Sequence, residues 1–364
     1  MPRMRKSLPI KALLTKPQLA LALLLVAGSA SAAEYWIGPK DEVFGEVEVV
    51  AARYEDTFVS LARTYNVGYE ALRRANPHVD PWLPGEGTKI VIPTQFVLPR
   101  APNRGIVVNV AELRLYYFPA ASSVAPEGTP AGSRRVITHP ISIGRMDWST
   151  PLGATSVTGK VANPSWTPPQ SIREEHAARN DILPRVVPPG PDNPLGQHAL
   201  RLGLPGYLIH GTNKPSGVGM RVTHGCIRMF PEDIEALFKT VPAGTPVMIV
   251  NQPYKLGWTA DGLYLEAHPP LAKEPVVETE EVDEPSSTDT AEAEPVLAEG
   301  SLTELTRVYV AATASRTADV RWDFAETVLQ SARGVPEFIS VAAAPVAVTE
   351  SFAADPGTAG AATP

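Results

Sequence analysis

At 364 residues the chain exceeds the usual size of one domain. Its 44% hydrophobic and 20% charged residues exclude a wholly disordered or fibrous protein, while 38 prolines call for extensive loops. The net charge of −7 is unevenly held: residues 1–32 carry five positive charges, residues 273–300 carry ten Asp/Glu against one Lys, and the remainder is only −3. No basic stripe is left to grip nucleic acid.

Arg3, Arg5, Lys6, Lys11 and Lys16 precede the apolar run Leu19 to Ala27 and the small residues Ala30-Ser31-Ala32. This pattern predicts a signal peptide over 1–32, cut before Ala33, and hence export to the periplasm. The alternative is an uncleaved anchor. The apolar run is too short for a spanning helix, no later segment is long enough, and no transmembrane segment is expected. Cys226 is the sole cysteine, so no internal disulfide can form in that oxidising compartment, and no lipid-bearing cysteine follows the leader.

Residues 34–46 lack a pattern and read as a lead-in. Between 47 and 93 the spacing predicts a strand at Val47, Val49 and Val50, a helix from Thr57 with Phe58, Leu61, Ala62 and Tyr65 on one face, a second helix from Gly68 to Asn76-Pro77, and a strand at Lys89–Ile92. This segment resembles a LysM module, which implies binding of peptidoglycan glycan strands; the alternative is a small structural cap.

From Gly105 the texture is strand-rich: Ile106–Val110 and Leu113–Phe118 form a hairpin about Ala111-Glu112. Further strands are expected at Arg135–Ile143, Thr155–Lys160, Tyr207–His210 and Pro246–Asn251. Residues 163–194, dense in proline and glycine, read as a lid that buries Trp166, Ile172, Ile182 and Leu195. Trp36, Trp82, Trp148 and Trp166 read as packing anchors, with Trp148 or Trp166 lining a substrate cleft as the alternative, and His78, His139, His176, His198 and His268 as surface or loop positions. Beyond Leu271, residues 272–300 form an acidic disordered linker. Residues 301–342 form a small helical segment, with Val320, Phe324 and Val328 on one face, and 343–364 a disordered tail.

The chemistry is concentrated in Ile209-His210-Gly211-Thr212 and Val222-Thr223-His224-Gly225-Cys226-Ile227-Arg228. A free thiol is only about 3% ionised at neutral pH, and an imidazole partner can lower its pKa; a shift of two units is worth about 2.7 kcal/mol. Either His210 or His224 can supply that partner, and spacing alone does not choose. Gly225 lets a carbonyl approach the N–H groups of Gly225 and Cys226, which suits an oxyanion hole. Arg228 can hold a substrate carboxylate, or pair with Asp233 instead.

These motifs resemble the signature of the L,D-transpeptidase (YkuD-type) family. Gly144, Thr150-Pro151, Gly153 and Pro194-Leu195-Gly196 match upstream, giving a catalytic domain over 103–251. The resemblance implies an α+β, mainly β fold: a β-sandwich-like catalytic domain, a small βααβ LysM domain and a partly disordered C-terminal extension. It implies that Cys226 is the nucleophile, that His210 is the acid/base oriented by the Gly211 carbonyl, and that His224 supports the loop. Arg228, Thr223 and Tyr207 are expected to touch substrate.

The reaction implied is attack on the meso-diaminopimelate carbonyl of a tetrapeptide stem, release of D-alanine, and transfer of the acyl group to an amine. No cofactor or metal is needed. The acceptor is another stem, an outer-membrane lipoprotein, or water in an L,D-carboxypeptidase. Two other readings compete: a zinc site of His210, His224 and Cys226, and a non-catalytic wall-binding protein with Cys226 as a buried hydrophobe.

Overall fold

The computed structural model describes residues 33–120, 125–145, 148–271 and 301–341. The leader, acidic linker and tail expected at 1–32, 272–300 and 343–364 lie outside these residues. No described helix is long and apolar enough to cross a membrane.

Strands β1 (Ala33–Ile37) and β2 (Val43–Gly45) occupy the stretch read as a patternless lead-in, which corrects that reading. A strand, two helices and a strand follow: β3 (Glu48–Ala51), α1 (Phe58–Thr64), α2 (Tyr69–Ala75) and β4 (Lys89–Ile92), with β3 antiparallel to β4. Thr57 caps α1 through a reciprocal box with Ser60, worth ~1 kcal/mol. Asn76 ends α2 and ties it to β4, donating to Leu72 O and Val91 O and accepting from Val91 N–H. Phe58, Leu61, Leu72, Ile90 and Ile92 form the core of this unit. Trp82 is no packing anchor, being 60% exposed. Strand β5 (Gln95–Val97) then pairs with β2.

The central body comprises β6 (Gly105–Asn109), β7 (Arg114–Phe118), β8 (Arg134–Pro140), β9 (Ile143–Gly144), β10 (Gly153–Ala162), α3 (Gln170–Ala177), β11 (His198–Leu202), β12 (Leu208–His210), β13 (Arg221–Thr223), β14 (Ile227–Arg228), α4 (Pro231–Thr240) and β15 (Pro246–Val250). One nine-stranded sheet runs β1-β8-β7-β6-β15-β10-β11-β12-β14. It rolls back on itself, because Ser142 beyond β8 exchanges backbone hydrogen bonds of 2.8 and 2.9 Å with Arg228 of β14.

Every residue of β6 and β7 is buried, since both faces of these strands are covered. Ile106, Val108 and Leu115 face an inner core with Ile209, Ile227 and Leu237. Val107 and Tyr116 face Ile37, Phe44 and Phe96 from the N-terminal strands. That double cover explains the continuous apolar runs in the sequence. His139, expected at the surface, is fully buried on β8.

The described C-terminal residues 301–341 hold two helices and one short strand, and they pack on a preceding hairpin. Hairpin β16 (Tyr254–Trp258) and β17 (Leu263–Ala267) is joined by β18 (Glu337–Phe338) in a three-stranded sheet, on which α5 (Ser301–Thr313) and α6 (Trp322–Ser331) pack. Val320 lies outside α6 and bridges to Ser340 instead of extending the helical face. At the boundary with the central body, Lys255 Nζ donates to Glu112 Oε2 and Val97 O at 2.7 Å each and lies 3.0 Å from Glu266 Oε1. His268, a second expected surface histidine, is buried against Glu266 at 2.6 Å.

The β3–β4 unit also rests on the central body. Arg63 makes a double hydrogen bond to Glu232 at 2.9 Å, and Asn66 Nδ2 donates to buried Asp233 at 2.9 Å.

Candidate active site

Parallel pairing of β12 with β14 sets His210 opposite Arg228 and brings the two sequence motifs together. His210 is buried, with Nδ1 2.7 Å from the Gly211 carbonyl, while its own carbonyl accepts from Met229 N–H at 2.9 Å. A carbonyl can only accept, so Nδ1 carries the proton and Nε2 is left as the basic nitrogen. Burial, then the nearby Arg228 charge, lowers its pKa to about 4, with the Gly211 bond acting in the opposite direction.

The turn from Thr223 to Cys226 is held by hydroxyls. Thr223 Oγ1 donates to Cys226 O at 2.6 Å, and Thr150 Oγ1 donates to Gly225 O at 2.8 Å while accepting from Gly144 N–H at 3.2 Å. With both carbonyls tied, N–H groups are what this turn can offer to a ligand. Gly225 has φ +99°, and a Cβ there would meet the Tyr207 ring at 2.9 Å. Gly225→Ala is therefore expected to cost about 1–3 kcal/mol of local strain and to displace Tyr207, read as a lower Tm together with altered alkylation of Cys226.

Cys226 is half-buried, and its thiol donates to Gly206 O at 3.6 Å. Burial raises its pKa above the ordinary value, against a backbone hydrogen bond from Leu208 and the charge of Arg228. Two expectations change here. The resting pair is a neutral thiol and a neutral imidazole, not a thiolate beside an imidazolium, and among the described residues the thiol bonds to neither histidine.

His224 also lines the cleft, but its Nε2 lies 2.9 Å from Glu175 Oε2 and its ring packs edge-on against Trp148. Arg228 does not pair with Asp233, which instead lies 3.1 Å from His139 Nδ1 and accepts from Asn66. Among the described residues Arg228 has no acidic partner within 4 Å, and its Nε is buried without a hydrogen bond. Burial lowers its pKa, an effect that ionisation of the nearby Cys226 opposes.

His210, Cys226, Arg228, Tyr207 and Thr223 line one cleft of about 780 Å³. Its outer wall is the 163–194 segment, ordered by α3, by a bridge between Trp166 and Val187, and by Asn193 Nδ2 donating to Pro164 O at 2.8 Å. Ile172 and Leu195 are buried as expected, whereas Ile182 is 77% exposed.

The zinc reading is not assembled: among the described residues His210, His224 and Cys226 do not bring their ligand atoms within 4.8 Å of one another. Among the described residues the one group of three with metal-ligand character is Glu112, Glu266 and His268, and Lys255 Nζ already supplies the positive charge between its carboxylates. A purely structural Cys226 conflicts with its place on the cleft wall. Sequence reasoning missed Glu175, which no motif or spacing marks.

Residues 103–249 match the YkuD family model, the L,D-transpeptidase catalytic domain. The chain is 47% identical over 219 residues to the probable L,D-transpeptidase YcfS of Escherichia coli K12, covering 59% of this chain and 65% of that protein. It is 40% identical over 259 residues to the probable L,D-transpeptidase YbiS of the same strain, covering 70% and 80%. It is likewise 40% identical over 256 residues to the probable L,D-transpeptidase ErfK/SrfK of Salmonella typhimurium LT2, covering 69% and 79%.

Proposed function

The chain belongs to the L,D-transpeptidase family, and from that premise we propose that it is a periplasmic peptidoglycan enzyme in which Cys226 acylates itself on a tetrapeptide stem and passes the acyl group to an amine. The observation that carries this reading is the shared cleft of Cys226, an imidazole with its basic nitrogen left over, and a guanidinium without an acidic partner among the described residues.

Cys226 Sγ attacks the carbonyl at the L-centre of meso-diaminopimelate. Because burial keeps both groups neutral, the thiol proton passes to His210 Nε2 as the C–S bond forms. The sulfur turns from Gly206 O to do so; such hydrogen bonds are commonly loose before substrate arrives. The N–H groups of Gly225 and Cys226 receive the developing oxyanion, a contribution of about 3 kcal/mol per donor. His210 then protonates the departing D-alanine amine. In the second half an acceptor amine attacks the thioester, gives its proton to His210, and the sulfur leaves and is reprotonated. Arg228 holds a stem carboxylate, Thr223 and Tyr207 bound the site, and His224 supports the loop. Arg228 carries one sign of charge into the cleft, which suits a substrate rich in free carboxylates.

The β3–β4 unit binds glycan as a LysM module, and residues 1–32 direct export. The acceptor is a second stem or an outer-membrane lipoprotein; water would make the same chemistry a carboxypeptidase. Carbapenems, whose ring opening mimics acylation, would label Cys226. Muropeptides incubated with the mature protein and analysed by mass spectrometry decide between these outcomes. Dimers joined through two diaminopimelates support transpeptidation, loss of D-alanine alone supports hydrolysis, and unchanged muropeptides would overturn the proposal.

The His210 pKa adds a pH test. A base must be neutral to work, so kcat/KM is expected to hold down to about pH 4 and to fall only below it, instead of near 6.5. An acid limb near 6.5 would contradict the buried setting of His210.

A further inference from the structure

Helix α3 joins the cleft to the turn before Cys226. Ile172 and His176 line the cleft, while Glu175 gathers two guanidinium groups and an imidazole. Arg145 reaches it through two nitrogens at 2.9 and 3.1 Å, Arg179 at 2.7 Å and His224 Nε2 at 2.9 Å. Arg145 and His224 stand beside paired strands, for β9 runs parallel to β13 and Arg145 N–H donates to Thr223 O at 2.9 Å. One carboxylate therefore joins the cleft wall to the residue two before Cys226. Hydrogen bonds from Arg145 and His224 lower its pKa to about 2, so it stays an anion across the working pH range.

We propose that Glu175 is a positioning residue: a latch through which α3 holds the His224–Cys226 turn and the cleft wall in register. It acts through His224 and Arg145 and does not touch the reacting atoms. Glutamine at 175 keeps the shape but removes the anion on which Arg145, Arg179 and His224 converge, weakening each of those hydrogen bonds. Its consequence for turnover rests on Cys226 being the nucleophile, whereas its consequence for motion does not.

The test uses the full mature chain as wild type, Glu175→Gln, Glu175→Asp and Glu174→Gln. Glu174 sits one residue away, exposed, and bonds to Gln170. Hydrogen exchange over 170–177 and 221–226 and the rate of Cys226 alkylation by iodoacetamide are read alongside kcat and KM. Glu175→Gln should speed exchange in both segments and alkylation by roughly tenfold, the scale of a charge-assisted hydrogen bond. kcat should fall by a similar factor and KM by much less. Glu175→Asp should restore most of the loss, Glu174→Gln should match wild type, and 0.5 M salt should speed exchange in wild type but not in Glu175→Gln. Unchanged exchange in both segments, or faster exchange in α3 alone, overturns the latch. Coupled exchange in a wild-type protein that turns over no muropeptide overturns the proposed function and leaves the latch standing.

Discussion

Cys226→Ala and His210→Gln are each expected to lower muropeptide turnover by more than about a thousandfold, and the double variant to lower it no further. The two side chains act in one proton transfer, so the first removal leaves nothing for the second to spoil. The alanine variant is expected to keep its stability, because Cys226 is only half-buried and its thiol makes one long hydrogen bond of 3.6 Å. His210→Gln should cost more stability, since it removes a buried ring bonded at 2.7 Å to Gly211 O. Measured kcat/KM for the three variants, beside thermal unfolding, separates chemistry from folding. Additive losses would mean that His210 and Cys226 do not share a step.

The largest effect on stability is expected at Lys255→Met. The ammonium is fully buried among Glu112, Glu266, Val97 O and the Tyr116 hydroxyl, at 2.7 to 3.2 Å. Burial raises the Glu266 pKa, but the charge of Lys255 and the bond from His268 outweigh it, so the carboxyl stays below its ordinary value. Removing the lysine leaves two buried carboxylates with only Arg114, 4.0 Å from Glu112, and His268, 2.6 Å from Glu266, as basic partners, at a cost of about 3–5 kcal/mol, a fall in Tm of roughly 10 °C. Glu112→Gln and Glu266→Gln added to Lys255→Met should return part of that loss. A Tm within 2 °C of wild type for Lys255→Met would show the cluster to be dispensable.

How much of this was legible in the sequence followed from how local each feature is. Cys226, Gly225, His224 and Arg228 lie within five residues, and His210 sits on an apolar run, so the cleft's reacting groups were readable. β6 and β7 were readable because β-branched and aromatic residues fill both buried faces, with Arg114 at the start of β7 their one charged residue. β16 and β17 were not, because Lys255 and Glu266 break the apolar pattern; they are buried because they pair with each other across the hairpin and Lys255 also meets Glu112 of the neighbouring sheet. His139 looked solitary for the same reason, its partner Asp233 lying far along the chain. Glu175 is 49 residues from His224 and carries no spacing signal. The charge state was least legible of all: proximity of a thiol to imidazoles suggests a thiolate, but burial of both groups, which only the fold determines, reverses the direction.

Gly219 has φ +87°, and a Cβ there would lie 2.3 Å from Gly68 Cα and 2.4 Å from Tyr69 N. Across this bare contact Tyr69 and Glu70 N–H donate to Val218 O and Gly219 O at 3.4 and 3.3 Å, a few residues upstream of Cys226. The β3–β4 unit thus meets the loop leading to the sulfur backbone to backbone, with no slack between them. It is built as a ruler and not a leash: a glycan strand gripped by this unit, as proposed above, would be held at one distance and one angle from Cys226, and sites elsewhere along that strand would come into reach only when the whole molecule let go and rebound.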